Sequence, residues 1–228
     1  MVTRGRLIVF EGPEGAGKTT QLGNLAAWLT ARGIDHLRVR EPGGTALGDE
    51  ARRLLLDTPG GLEPRAEALL FMASRAALVA EVIRPALERG TLVLADRYFL
   101  STYAYQVSGR GLPEAEVRAA NALATAGVSP DLTLLFGVPS AVRAARAAAR
   151  GAPDRIERAG DAFHARVEQA FAMFVSPNWQ HAHPEAGPVV PVDGDGDAAV
   201  VFDRLLAALG AKWPDLVEAP AAAPARGR

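Results

Sequence analysis

The chain has 228 residues, of which 49% are hydrophobic and 22% are charged, and its formal net charge is −1. This composition predicts a globular α/β protein with ample material for a core, and the near-neutral charge gives no electrostatic argument for nucleic acid or an anionic membrane as partner. The absence of cysteine excludes disulfides and fits the cytoplasm, and without a signal-peptide pattern or a long uncharged run we expect neither export nor a membrane span.

Short apolar runs alternate along the chain with longer segments of helical periodicity. The predicted strands cover residues 7–10, 37–40, 91–95, 132–136 and 188–192. The predicted helices cover residues 18–31, 46–57, 64–88, 114–125, 140–149, 159–175 and 197–209. Pro85 is expected to kink or shorten the third of these helices. The alternation predicts a three-layer αβα sandwich in which helices cover both faces of a five-stranded parallel sheet.

Two segments do not follow this alternation. Residues 176–186 are rich in Pro, His and Trp, and we interpret them as a loop. The rest of residues 1–212 is predicted to form one domain. Residues 213–228 have an Ala- and Pro-rich composition that buries little surface, which predicts a disordered tail.

A phosphate-binding loop follows the first predicted strand. Residues 12–19 match G-x-x-x-x-G-K-[ST] between a strand and a helix, as such a loop requires. Glycines let consecutive N–H groups turn toward one anion, and the next helix directs its positive end to the same place. In such loops the lysine reaches the β- and γ-phosphates and the hydroxyl ligates Mg²⁺. The predicted nucleotide-binding residues are Gly12, Pro13, Glu14, Gly15, Ala16, Gly17, Lys18, Thr19 and Thr20.

An acidic residue, Asp96, stands at the carboxyl end of the third predicted strand, and Arg97 follows it. Ligands of open parallel sheets bind at that edge, and an acid there is the second Mg²⁺ anchor of phosphate-loop folds. The Arg97 guanidinium suits a second phosphate at the same edge. The alternative is an ordinary Asp–Arg pair at the surface, and the phosphate loop in the same chain favours the nucleotide site.

Five motifs in order make the chain resemble the thymidylate kinase family of nucleoside-monophosphate kinases. They lie at residues 11–20 (EGPEGAGKTT), 40–45 (REPGGT), 70–75 (LFMASR), 96–106 (DRY, ST and AYQ) and 154–157 (DRIE). The resemblance runs over about residues 6–209. It implies phosphate-loop kinase topology, a lid at about residues 142–160, and transfer of a phosphoryl group from ATP to dTMP with Mg²⁺. It also implies a cytoplasmic homodimer, for which the helix at residues 64–88 is a candidate interface.

The resemblance also implies a role for individual residues. Phe71 would stack on thymine, Arg75 would donate to its O4, Thr102 would approach its polar edge, and Tyr105 would crowd a 2′-hydroxyl. Arg97 would hold the acceptor phosphate. The full implied substrate-binding set is Glu14, at the sugar 3′-hydroxyl, with Arg40, Phe71, Arg75, Arg97, Ser101, Thr102, Tyr105 and Gln106. Taken alone, Phe71 fits core packing better than a base platform, Tyr105 also fits an ordinary half-buried tyrosine, and Arg75 also fits a solvated helix face.

The resemblance implies a catalytic arginine either in the phosphate loop or in the lid, in addition to the catalytic pair Lys18 and Arg97. Gly15 occupies the loop position, whereas arginines cluster in the lid, as in the bacterial-type arrangement. The clustered residues are Arg143, Arg146, Arg150, Arg155 and Arg158. Similar lids often carry another arginine at a position that is alanine here, within residues 147–149. Which lid arginine is catalytic therefore stays open, and Arg150 and Arg146 are the favoured candidates. Arg143 and Arg158 also fit a solvated helix face.

Two other functions remain open on the sequence. The first is a kinase for a different nucleotide or for a nucleoside, against which Phe71, Arg75 and Tyr105 argue. The second is a nucleotide-binding module without catalysis. Such a module would be expected to have substitutions at Lys18, Thr19 or Asp96 or in the lid. All of these are intact.

Overall fold

The computed structural model describes residues 4–148 and 154–220. Five parallel strands form one sheet and confirm the predicted fold class. They are β1 (Leu7–Glu11), β2 (His36–Arg40), β3 (Leu92–Asp96), β4 (Leu132–Gly137) and β5 (Val189–Asp193). Their order across the sheet is β2-β3-β1-β4-β5. Because β1 and β3 are neighbours, Phe10 lies beside Asp96, and the phosphate loop and the Asp96 motif meet at one edge.

Helices cover both faces of this sheet. In chain order they are α1 (Lys18–Thr30), α2 (Ala46–Asp57), α3 (Pro64–Leu78), α4 (Arg84–Glu88), α5 (Phe99–Thr102), α6 (Glu114–Thr125), α7 (Ser140–Ala148), α8 (Asp161–Met173), α9 (Pro177–Ala182), α10 (Ala198–Lys212) and α11 (Pro214–Val217). Alternate residues of β1 point to opposite faces, so Leu7 and Val9 pack with α3 residues such as Leu78, while Ile8 and Phe10 pack with α1 and α10. No helix in the described ranges is long and apolar enough to cross a bilayer.

The third predicted helix is interrupted immediately before Pro85. A π-helical turn, Val79–Ile83, joins α3 to α4. Proline lacks an N–H donor, and its ring would clash with the carbonyl four residues earlier in a regular helix. The wider turn accommodates the proline, and the chain continues as α4. A second π-helical segment, Tyr103–Gly109, follows α5, and neither it nor α5 is predicted from the sequence.

Two predictions about irregular segments need correction. The predicted loop at residues 176–186 contains α9 and a 3₁₀ turn, Pro184–Ala186. The start of α9 has an N-cap, because the Ser176 side chain accepts from the N–H of Trp179, and Pro177 occupies the first turn. The predicted tail begins too early: residues 214–217 form α11, whose Leu216 is buried against α10. The last eight residues, 221–228, lie outside the described residues.

Candidate active site

The phosphate loop between β1 and α1 has the backbone that its glycines predict. Gly12, Gly15 and Gly17 have φ angles of 137°, 78° and 88°, in the region that side chains rarely adopt. A Cβ at Gly12 would also lie 2.4 Å from the carbonyl oxygen of Phe136 on β4. The Lys18 ammonium folds back over this loop and donates to the carbonyl oxygens of Gly12 and Pro13, both at 2.9 Å.

Lys18 is a buried cation. Burial lowers the pKa of Lys18 to about 8, and the positive charge of Arg97 acts in the same direction. The carboxylates of Glu14, Asp96 and Glu11 oppose this decrease. A bound polyphosphate would place more negative charge beside the ammonium, so nucleotide binding and protonation of Lys18 favour each other.

The side-chain oxygens of Thr19 and Asp96 lie side by side at the edge of the sheet, where they could hold a metal ion. The Thr19 hydroxyl donates to Asp96 Oδ2 at 2.7 Å. The described residues contain no group of three or more His, Asp or Glu side chains placed to enclose a metal ion. Mg²⁺ is usually held by one or two protein oxygens together with phosphates and water, and Thr19 Oγ1 and Asp96 Oδ2, 2.7 Å apart, are two such oxygens.

Arg97 is directed into the site by an unusual backbone conformation. Its φ angle of 75° is left-handed, a conformation that costs a non-glycine residue about 1–3 kcal/mol. The guanidinium donates to Ser101 Oγ at 2.9 Å and to Glu14 at 3.1 Å, and it lies 5.3 Å from the centre of the Tyr105 ring. The strained turn therefore places a cation between the phosphate loop and α5.

A buried carboxylate, Glu11, supports this turn. Its oxygens accept from the backbone N–H groups of Tyr98 and Ser101 and from the Ser101 hydroxyl, at 2.7–3.0 Å. The sequence gives Glu11 no role beyond its place in the first motif. The available signal was an acidic residue at the carboxyl end of a fully buried strand.

Arg75 is not on a solvated helix face, because its side chain is only 2% exposed. Its Nε and Nη2 donate to Glu41, and Nη2 also donates to the Tyr98 carbonyl oxygen. Its Nη1 donates to Thr102 Oγ1 at 2.9 Å and to Asn121 Oδ1 at 2.5 Å. Burial lowers the pKa of Arg75, but the charge and hydrogen bonds of Glu41, with smaller effects of Tyr98 and Glu11, together raise it by more, so the guanidinium stays charged. All five donors are therefore occupied, which leaves none for a direct bond to a base.

One cavity of about 360 Å³ brings most of the predicted residues together. The predicted residues that line it are Glu14, Lys18, Thr19, Arg40, Phe71, Arg75, Asp96, Arg97, Ser101, Thr102, Tyr105 and Gln106. Other lining residues belong to motifs that the sequence identifies without giving them a role, which are Glu41, Pro42, Asp154, Ile156 and Glu157, whereas the sequence misses Arg52, Leu56 and His164. Arg52 adds a further cation from α2, and its Nη1 donates to the Pro42 carbonyl oxygen at 3.1 Å. Nothing in the spacing of α2 distinguishes Arg52 from an exposed arginine.

Helix α7, which lies in the segment expected to form the lid, packs directly on the phosphate loop. A Cβ at Gly15 would come within 3.0 Å of the carbonyl oxygen of Arg143, so a side chain at Gly15 would displace α7. Arg146 extends over the loop, and its guanidinium donates to the carbonyl oxygens of Gly194 at 3.2 Å and of Gly15 and Gly196 at 3.4 Å. It therefore bridges the phosphate loop and the loop after β5.

The other lid arginines have different surroundings. Arg143 pairs with Glu168 on α8. Arg155 donates to the Leu55 carbonyl oxygen and pairs with Glu67, so it binds α2 and α3. Arg150 lies outside the described residues. Arg146 contacts the phosphate loop through its guanidinium.

Comparisons with known proteins point in one direction. The family model for thymidylate kinase matches residues 10–184. The thymidylate kinase of Deinococcus radiodurans is 50% identical over 184 residues, which are 81% of this chain and 87% of the relative. That of Thermosynechococcus vestitus is 46% identical over 198 residues, 81% of this chain and 82% of the relative. The crystal structure of thymidylate kinase from Ehrlichia chaffeensis is 28% identical, with a TM-score of 0.68 over 90% of this chain and 98% of that one.

Proposed function

Because the chain belongs to the thymidylate kinase family, a family of ATP-dependent phosphotransferases, we propose that it converts dTMP and ATP to dTDP and ADP. The reaction would serve dTTP synthesis in the cytoplasm, a reducing compartment that suits a chain without cysteine. A single observation carries the proposal: one cavity joins the phosphate loop at Lys18 to Arg97 and to the side chains of Phe71 and Arg75.

The geometry supports direct in-line transfer without a covalent enzyme intermediate. An oxygen of the acceptor phosphate attacks the γ-phosphorus, and the bond from that phosphorus to the β–γ bridging oxygen breaks, which releases ADP. Arg97 would hold the acceptor phosphate, Lys18 would balance charge on the donor phosphates, and Arg146 would reach them from the lid. The protein contributes position and charge, and the closed lid excludes the water that would otherwise hydrolyse ATP.

We propose that Thr19 and Asp96 hold Mg²⁺ during this reaction. Their oxygens lie 2.7 Å apart beside the phosphate loop, and hard oxygen ligands suit this ion. When bound, Mg²⁺ would neutralise charge on the β- and γ-phosphate oxygens.

The test of this function is ADP release measured over a panel of acceptors, dTMP, dUMP, dCMP and UMP, with product identified by chromatography. We expect dTMP to be the preferred acceptor and dTDP to form in equal amount to ADP. Equal kcat/KM for dCMP and dTMP would overturn the proposal and favour a kinase for another nucleotide.

Replacing Arg146 with alanine should lower kcat by about 10–100-fold and raise KM for ATP much less, because its charge acts mainly in the transition state. Steady-state kinetics measure both constants. Arg204→Ala is the matched control, since Arg204 also donates to carbonyl oxygens of the loop after β5, at Asp193 and Asp195. An equal loss in Arg204→Ala would mean that Arg146 only supports this loop.

We also propose that the protein is a homodimer that pairs through α3 and α6. These helices pack side by side and expose Leu69, at 61%, and Leu123, at 84%. Apolar side chains on adjacent helices suit a self-complementary interface.

Light scattering coupled to size exclusion should give the mass of two chains for the wild type. It should give the mass of one chain for Leu69→Glu/Leu123→Glu. Met173→Glu changes another exposed apolar residue, 55% exposed on α8, and should leave the mass unchanged. A wild-type monomer, or a dimer that survives the double substitution, would contradict this interface.

A further inference from the structure

Two arginines from different parts of the chain converge on one buried carboxylate, Glu67 of α3. The Glu67 side chain is 1% exposed. Arg110 donates to it through Nε at 3.0 Å and Nη2 at 2.9 Å, and Gln106 donates through Nε2 at 3.2 Å. The Nη2 atom of Arg155 lies 2.7 Å from its Oε2. The phosphoryl transfer described above does not use this cluster.

Arg155 connects the cluster to the lid. It lies in the segment 154–157, which follows α7 and the undescribed residues and lines the cavity through Asp154, Ile156 and Glu157. Asp154 accepts from the N–H groups of Ile156 and Glu157, at 2.8 and 2.9 Å, which makes this segment a tight turn. Because these hydrogen bonds join the segment into one turn, the contacts of Arg155 hold the turn as a unit.

Arg110 connects the same cluster to the start of α8, on the other side of the turn. Its guanidinium lies 4.5 Å from the centre of the Phe163 ring. In return, Arg166 of α8 donates to the carbonyl oxygens of Ser108, at 3.1 Å, and Gly109, at 2.6 Å. Glu67 therefore fixes the base of the lid at two points, through Arg155 and through Arg110.

The charges require an ionised carboxylate. Burial raises the pKa of Glu67, but hydrogen bonds and charge from Arg110 and Arg155 lower it by more, so the net direction is downward. One negative charge faces two guanidinium groups that are 19% and 10% exposed. Without that charge, two partly buried cations would repel each other and release the turn.

Glu67 also shares a helix face with the base pocket. Residues 67, 71 and 75 are spaced by four, so Glu67 lies in line with Phe71 and Arg75, which line the cavity. We propose that Glu67 is a positioning residue: through Arg155 it holds the turn at residues 154–157 against the cavity, so that this turn covers the acceptor bound on the same face of α3. This proposal rests on the phosphotransfer proposed above.

The test compares Glu67→Gln, which keeps the shape and removes the charge, with Glu50→Gln, which removes an exposed carboxylate paired with Arg53 on α2. Three quantities are measured: kcat and KM, the ratio of ATP consumed to dTDP formed, and amide exchange at residues 154–160. For Glu67→Gln we expect kcat to fall by about tenfold or more, ATP hydrolysis without dTDP to rise, and exchange at 154–160 to quicken while the strands stay protected. Glu50→Gln should match the wild type.

A second variant keeps the proposal testable if Glu67→Gln does not fold. Arg155→Lys retains the charge but loses the fork that binds Glu67 and Leu55 together, so it should show the same three changes at smaller size. The proposal would be overturned if both variants kept the wild-type ratio of ATP consumed to dTDP formed and the wild-type amide exchange at residues 154–160. Faster exchange throughout the sheet, without a change in that ratio, would also overturn it, because it would show a role in general stability alone.

The exchange measurement separates this proposal from the function on which it rests. If the wild type makes no dTDP from dTMP, the proposed function fails. The role of Glu67 in holding the turn at residues 154–157 over that acceptor then fails as well. Local release of residues 154–160 in Glu67→Gln would still show the anchoring of the turn itself.

Discussion

Replacing Lys18 with alanine is expected to reduce turnover at least about a hundredfold, the loss typical of removing one preorganised charge from a transition state. The ammonium sits 2.9 Å from the carbonyl oxygens of Gly12 and Pro13, at the centre of the phosphate loop. Burial already lowers its pKa to about 8, so the site holds this charge at a cost that a bound polyphosphate offsets. Single-turnover formation of dTDP measures the loss without interference from product release.

The chain offers a matched control for this substitution. Lys212, at the end of α10, packs its ammonium over the Trp213 ring and is remote from the cavity. Lys212→Ala should keep full turnover. If Lys18→Ala unfolds at the same temperature as the wild type and still turns over at a near-normal rate, Lys18 takes no part in the reaction.

The sheet and the phosphate loop can be predicted from the sequence because their signals are local. The strands β1, β3 and β4 are continuous apolar runs, and α1 repeats Leu22, Leu25 and Leu29 at helical spacing. The loop motif then fixes which edge of the sheet carries the site. Short elements escaped the same reasoning, since α9 and α11 have six and four residues, too few for a periodic pattern.

The supporting contacts of the site could not be predicted, because each joins residues far apart in the chain. Glu41 and Asn121 meet Arg75 across 34 and 46 positions, and Arg155 meets Leu55 across 100. Periodicity gives the face of a helix but not the partner that packs on it. Arg75 shows the consequence: the family resemblance implies a free donor for thymine O4, whereas its donors are already bound within the protein.

The Arg75 network changes how the base is expected to be read. Because Thr102 Oγ1 accepts from Arg75 Nη1, its own hydroxyl hydrogen points elsewhere and is free to be donated. Thr102 lines the cavity, so the recipient we propose is O4 of thymine. In this arrangement Arg75 acts through Thr102, by holding its oxygen and by placing a positive charge behind it.

Discrimination against cytosine should therefore be large and should depend on Thr102. Cytosine presents an amino group, a donor, where thymine presents the acceptor O4. The Thr102 hydroxyl, held by Arg75, would then face another donor, and both groups would be left without a hydrogen bond. We expect kcat/KM for dCMP to lie about 10⁴-fold or more below that for dTMP, because a buried polar group is left unpaired, whereas dUMP, which lacks only a methyl group, should lose about 10–200-fold at most. UMP should be worse than dUMP, because we propose that the Tyr105 ring, which lines the cavity, takes the place that its 2′-hydroxyl would need.

Kinetics of variants on these four acceptors distinguish the sources of selectivity. Thr102→Val should lower kcat/KM for dTMP by about tenfold or more and leave that for dCMP nearly unchanged. Thr125→Val removes an equally buried hydroxyl on α6 and should leave both unchanged. Tyr105→Phe should keep the preference for dUMP over UMP, and Tyr105→Ala should lose it, if ring bulk excludes the 2′-hydroxyl.

Arg75 needs a paired substitution, because Arg75→Ala alone leaves Glu41 buried without its partner at a cost of about 3–5 kcal/mol. Glu41→Met/Arg75→Met removes both charges together and keeps the side-chain volume. It should reduce the difference in kcat/KM between dTMP and dCMP, mainly by lowering kcat/KM for dTMP. If the gap survives in both this variant and Thr102→Val, the base is read by other residues. If it narrows in the paired variant while Thr102→Val behaves as wild type, Arg75 gives up a protein partner and donates to the base itself.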